Sequence, residues 1–188
     1  GAAWFDLSTV SPALARELAA EFAARGAAML DCPVSGGPAG ARSGRLALWV
    51  GGDKAAFDRY KPVLDAIGDQ VLYVGPAGAA TVAKLAHNMT GFAISAILAE
   101  IMTMGVKAGV EPLALFAAIR QGAYGRKPLF DRLADQFLIQ KWEPAAFALE
   151  LAYKDAVLAT DIGREYKVPM KIAGAVLSEM TEAMNREG

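Results

Sequence analysis

The chain has 188 residues, 54% of them hydrophobic, and a net charge of −1 at pH 7. That supplies a core for one large domain or two small ones, and it leaves no electrostatic footprint for nucleic acid. Cys32 stands alone, so no internal disulfide forms, and one histidine without a Cys/His cluster argues against a metal site.

In chain order, Trp4 to Leu7 reads as a strand. Ser11-Pro12 opens a helix through Arg25, with proline at an early helical position. Ala27 to Leu30 is a second strand and Leu46 to Val50 a third, closed by Gly51-Gly52. Asp53 caps a helix from Lys54 to about Ile67, which Gly68 ends. Val71 to Val74 is a further strand, closed by Gly75-Pro76. After Gly78 every periodic segment is helical. The first helix, about Gly78 to Lys107, has a length of roughly 45 Å at 1.5 Å per residue. Shorter helices follow from Glu111-Pro112, Pro128, about Pro144 and Pro169. The longest apolar run, Met89 to Ala99, stops at Glu100 and is too short to span a bilayer.

Three stretches carry candidate chemistry. On the long helix, Lys84 and Asn88 share a face with Gly91 and Ser95, while Val82, Leu85, Met89, Phe92, Ile94, Ile97 and Leu98 make the rest apolar. Such a helix is usually buried, and a desolvated lysine loses its proton readily, so Lys84 is a candidate acid/base. The alternative is a lysine that snorkels to water near a helix start. Second, Asp31-Cys32-Pro33-Val34-Ser35-Gly36-Gly37-Pro38 follows an apolar run. A strand ending in Ser-Gly-Gly leaves bare N–H groups and one hydroxyl, a nest suited to a carboxylate, or else it is an ordinary Gly-Pro loop. Third, Phe147, Leu151, Lys154 and Asp155 recur at helical spacing, and Glu150 with Lys154 fits a plain i, i+4 ion pair. Ser8-Thr9 fits the cap of the helix near Pro12.

These motifs occur in one order: Asp-x-Pro-Val-Ser-Gly-Gly, Gly51-Gly52-Asp53, Gly-x5-Lys-x3-Asn and Phe147-x-Leu-x-Leu-x2-Lys154-Asp155. In that order and spacing the chain resembles the β-hydroxyacid dehydrogenase family, which includes 3-hydroxyisobutyrate dehydrogenase, tartronate semialdehyde reductase and relatives of 6-phosphogluconate dehydrogenase. The resemblance runs from Asp6-Leu7-Ser8-Thr9 onward. It implies an α/β fold, the C-terminal part of a Rossmann-type sheet over 1–76. An all-α substrate and dimerisation domain follows over 77–188, built on one long interdomain helix. No Gly-x-Gly-x-x-Gly is present. The chain is therefore expected to be an N-terminally truncated fragment that lacks the pyrophosphate site and is itself inactive.

The family's activity implies a fuller assignment. Ser35, Gly36 and Gly37 hold a substrate carboxylate, Lys84 moves the hydroxyl proton, and Asn88 orients the substrate. Thr9, Phe147 and Lys154 lie toward the nicotinamide end of NAD or NADP. His87 stands where many 3-hydroxyisobutyrate-type enzymes carry Asn. The Lys-x-x-His-Asn form resembles the 6-phosphogluconate branch, and His87 either borders the substrate pocket or is a satisfied core histidine. The expected function is NAD(P)-dependent interconversion of a small 3-hydroxy acid and its semialdehyde, in a cytoplasmic homo-oligomer without nucleic-acid or membrane partners. The alternatives are an imine or other semialdehyde reductase on this scaffold, or a non-catalytic assembly module.

Overall fold

The computed structural model describes residues 2–122, 125–126, 139–140 and 147–186. The helix starts expected at Pro128 and about Pro144 lie outside them. Two compact units form: residues 1–89 with 154–170, and residues 90–153 with 171–188.

The first unit begins with β1 (Ala3–Asp6), α1 (Pro12–Ala24) and β2 (Ala28–Asp31). Ser11 caps α1, its Oγ accepting from Leu14 N at 3.1 Å. β1 and β2 pair in parallel. Then come β3 (Val34–Ser35), α2 (Gly37–Ser43), β4 (Ala47–Gly51), α3 (Lys54–Leu64) and β5 (Gln70–Gly75). The sheet order is β1-β2-β4-β3, with β5 parallel to β4. β4 runs antiparallel to β2 and β3, so the sheet is mixed. Its core is Leu30, Leu48, Val50, Phe57 and Leu64, with Cys32 among them. Each fully buried Leu or Phe contributes about 1.5–3 kcal/mol.

Two elements differ from the sequence expectation. The Ser-Gly-Gly stretch is no simple loop, because β3 ends at Ser35 and α2 starts at Gly37. Gly36 and Gly37 have φ of 128° and 59°, values that L side chains avoid, and they turn the strand directly into the helix. α3 stops at Leu64, short of Ile67. Pro62 lies inside it, and the chain beyond tightens to i+3 bonds, Ala66 N to Val63 O and Ile67 N to Leu64 O.

α4 (Ala79–Lys107) and α6 (Leu149–Glu165) each contribute to both units. α4 was expected to be buried nearly all round. Instead Val82, Ile97, Met104 and Val106 are 41–65% exposed. By length and composition α4 also suffices to cross a membrane, which the run to Ala99 alone did not.

In the second unit Leu98 and Met102 of α4 pack with Leu115, Phe116 and Ile119 of α5 (Pro112–Gln121). Glu111 caps α5, Oε2 accepting from Ala114 N at 2.8 Å. α7 (Lys171–Asn185) buries Ala173 and Val176.

Candidate active site

The site is assembled around the first turns of α4, all within the first unit. Asp31 ends β2 and is buried. Its Oδ1 accepts from Gly78 N at 3.0 Å and its Oδ2 from Thr81 N at 3.1 Å. That carboxylate caps α4 and ties it to the strand that leads into the Ser35 turn. Burial pushes the Asp31 carboxyl above its ordinary value, against the backbone hydrogen bonds that lower it. Next to it, burial and the neighbouring Asp31 and Asp6 push the Cys32 thiol up to about 12. Cys32 is therefore a core-filling thiol and no nucleophile.

Ser35 Oγ lies 3.3 Å from His87 Nε2, so the glycine turn meets α4 within a turn of Lys84. His87 is exposed, which removes the reading of a core histidine. Its ring centroid is 5.1 Å from that of Trp49, and Lys84 Nζ is 5.9 Å from the Trp49 ring centroid. Trp49 of β4 thus floors the space between them. Lys84 is half-buried. Burial holds its ammonium below the usual lysine range, Asp155 opposes that, and Lys154 reinforces it. A lysine in that state exchanges a proton more readily than one that reaches free water.

Asn88, one turn on, donates Nδ2–H to Asp155 Oδ2 at 2.7 Å. A carboxylate only accepts, so the partner fixes the amide orientation. Lys154 Nζ donates to Thr9 O at 2.8 Å and stands 3.2 Å from Asp155 Oδ1. The cap of α1 is Ser11 and not the expected Ser8-Thr9, and the Lys154 contact is to the Thr9 backbone carbonyl. Phe147 lies in the second unit, 46% exposed, with its ring centroid 6.1 Å from that of Phe92.

Ser35, Lys84, Asn88, Lys154 and Thr9 are thus placed in one unit. Asp31, Trp49 and Asp155 also hold this arrangement, and the sequence reading gave them no role. Asp155 had a visible signal, as it sits in the buried stripe Ala152, Ala156, Ala159 of α6, where an acid is out of place. A depression of about 350 Å³ beside Arg16, Pro76, Gly78 and Val82 is lined by none of the candidate residues.

The residues fit one end of a nicotinamide dinucleotide. Thr9 follows β1, at the carboxyl end of a parallel strand pair where ligands of open α/β sheets collect, and Lys154 sets a cation there. The 188-residue sequence contains no Gly-x-Gly-x-x-Gly for the pyrophosphate.

Residues 1–75 match the family profile of the NAD binding domain of 6-phosphogluconate dehydrogenase. Residues 78–188 match the NAD-binding profile of NADP-dependent 3-hydroxyisobutyrate dehydrogenase. The 2-(hydroxymethyl)glutarate dehydrogenase of Eubacterium barkeri is 34% identical over 165 residues, 88% of this chain and 54% of that protein. The mitochondrial 3-hydroxyisobutyrate dehydrogenase of Rattus norvegicus is 34% identical over all of this chain and 57% of its own length. The crystal structure of a 3-hydroxyisobutyrate dehydrogenase from Salmonella typhimurium superposes with a TM-score of 0.86 at 31% identity, over 98% of this chain and 65% of that one. The chain spans little more than half the length of these curated relatives. By its matched profiles, its fold and the order of its motifs, the chain belongs to the β-hydroxyacid dehydrogenase family.

Proposed function

We propose that the chain carries the substrate-handling part of a NAD(P)-dependent oxidoreductase that interconverts a small 3-hydroxy acid and its semialdehyde. The observation that carries this is the half-buried Lys84 over Trp49, one turn from Asn88 and beside the Ser35 turn. The named relatives support the substrate class. 3-Hydroxyisobutyrate and 2-(hydroxymethyl)glutarate share a carboxylate and a primary hydroxyl on the next carbon but one.

Ser35 Oγ and the N–H groups of the Gly36-Gly37 turn would hold the carboxylate. Lys84 as a neutral amine would take the hydroxyl proton during oxidation, and as an ammonium return it during reduction. Asn88, with Nδ2 committed to Asp155, would present its carbonyl oxygen to the same hydroxyl. Thr9 and Lys154 would hold the nicotinamide end. The bound dinucleotide supplies the hydride acceptor or donor.

The test is a dehydrogenase assay of the polypeptide as its gene encodes it, with 3-hydroxyisobutyrate and 2-(hydroxymethyl)glutarate against NAD⁺ and NADP⁺. Turnover with at least one acid, lost in Lys84→Ala, supports the reading. No turnover with either acid and either dinucleotide overturns it.

A further inference from the structure

Asp155 is only 2% exposed, yet just one of its oxygens is hydrogen-bonded. Oδ2 accepts from Asn88. Oδ1 has no hydrogen-bond donor among the described residues. Lys154 Nζ, which donates to Thr9 O, stands 3.2 Å from it as an ion pair. Burying a carboxylate with half its acceptors unbonded is costly, and an apolar residue in this stripe of alanines is the cheaper structural choice. What the acid adds is a fixed charge and a fixed acceptor beside Lys84 and Asn88.

We infer that Asp155 is the positioning residue of the site: it fixes which end of the Asn88 amide faces outward, and its charge balances that of Lys154 at Lys84. The role of Lys84 as acid/base rests on the function proposed above, while the balance itself does not.

The groups set about Lys84 are Asp155, bonded to Asn88 one turn along the same face of α4, Lys154, paired with Asp155, the Trp49 ring of β4, and His87 three residues along α4 itself. Two cations and one anion are thus set against each other in a partly dry place, where a charge acts more strongly than in water. Removing the anion leaves Lys84 facing Lys154 unopposed. Removing Lys154 leaves it facing the anion alone. The two substitutions must therefore move Lys84 in opposite directions, which loss of packing alone does not do.

The experiment is a pH titration of the 188-residue chain labelled with ¹³C at lysine Cε, with the Lys84 resonance assigned through Lys84→Gln. It needs no substrate and no turnover. In Asp155→Asn, which keeps shape and an acceptor for Asn88, the Lys84 midpoint should fall by roughly 0.5–1.5 pH units. In Lys154→Gln it should rise. The Asn88 side-chain amide should exchange slowly in the native chain. If Asp155→Asn does not fold, the Lys154→Gln shift and the Asn88 exchange rate decide. An unmoved midpoint in Lys154→Gln, movement of both variants in one direction, or fast exchange at Asn88 overturns the proposal. A shifted midpoint in a protein without dehydrogenase activity would leave this balance standing and remove only the function.

Discussion

The carboxylate of Asp31 accepts from the backbone N–H of Thr81 at 3.1 Å, so a residue at the end of a strand caps a helix across 50 residues of chain. Gly78 N shares the same carboxylate. This pair of bonds sets the start of α4 relative to the Ser35 turn, and with it the place of Lys84. Asp31→Asn turns an NH₂ toward one of the two backbone donors. An expected loss of about 1–3 kcal/mol follows from a buried donor left without an acceptor. Urea denaturation measures it, and a loss below about 0.5 kcal/mol would contradict the cap. The pH dependence has a definite sign. Folding raises the Asp31 carboxyl, so the folded chain binds that proton more tightly than the unfolded one. Its contribution therefore falls as pH rises from the ordinary value of 3.8 through the raised one, and is flat above. The difference between native chain and Asp31→Asn across acid pH should show that slope.

Gly51, paired with Asp31 across β4 and β2, leaves the room that this carboxylate occupies. A Cβ at Gly51 would stand against Asp31 Oδ1. Gly51→Ala should destabilise by about 1–3 kcal/mol through overpacking. Because it acts by displacing the Asp31 side chain, its effect should shrink in an Asp31→Ala background, where the clashing atoms are gone. Strict additivity of the two substitutions would show that Gly51 acts elsewhere.

Much of this fold was legible because its signals are local. Ser11, Asp53 and Glu111 announce helix starts, and short apolar runs between turn residues announce β2 and β4. α2 was hidden because Gly-Pro-Ala-Gly-Ala-Arg-Ser carries no apolar period, and the two glycines that launch it look like any turn. Asp31 and Asp155 were hidden for a different reason. Their partners lie 47 and 67 residues away, and a hydrogen bond across such a gap leaves no trace in a local pattern. Lys84 and Asn88 were readable since i and i+4 place them on one face without any tertiary knowledge.

Lys84 should be decisive for turnover in the encoded enzyme. Lys84→Ala should lower kcat at least ~10²-fold, the usual worth of a positioned acid/base. Lys84→Arg should fail as well, since a guanidinium keeps its proton. For oxidation the neutral amine is needed, so kcat/KM should rise with pH to a midpoint below that of an ordinary lysine, as burial dictates. A midpoint at or above the ordinary value, or a flat profile, would assign the proton transfer to another group.

The contact between Ser35 and His87 separates binding from chemistry. Both side chains are solvent-accessible in part, so Ser35→Ala and His87→Ala should leave stability within about 0.5 kcal/mol. Each should raise KM for the carboxylate substrate several-fold with kcat less affected, the mark of uniform binding lost. Dinucleotide affinity should stay as it was. A main effect on the dinucleotide would place this turn at the cofactor, and a loss of more than 1 kcal/mol in stability would make His87 a packing residue.

The 188-residue chain itself should bind dinucleotide weakly and associate with its own kind. Thr9 and Lys154 offer one cation and a few polar contacts. A micromolar Kd corresponds to about 8 kcal/mol, which in this fold class draws heavily on a glycine-rich pyrophosphate turn that this sequence does not contain. Calorimetry with NAD⁺ and NADP⁺ should therefore give Kd values well above the micromolar range. Val82, Ile97, Met104, Leu113 and Ile172 are 41–72% exposed, apolar side chains that a second copy of the chain can cover. Light scattering should accordingly report a dimer or larger assembly in place of a 19.7 kDa monomer. A charge placed at Met104 or Ile172 should shift that assembly toward monomer while leaving the Lys84 titration untouched. A clean monomer, or micromolar dinucleotide binding, would overturn the corresponding half of this prediction.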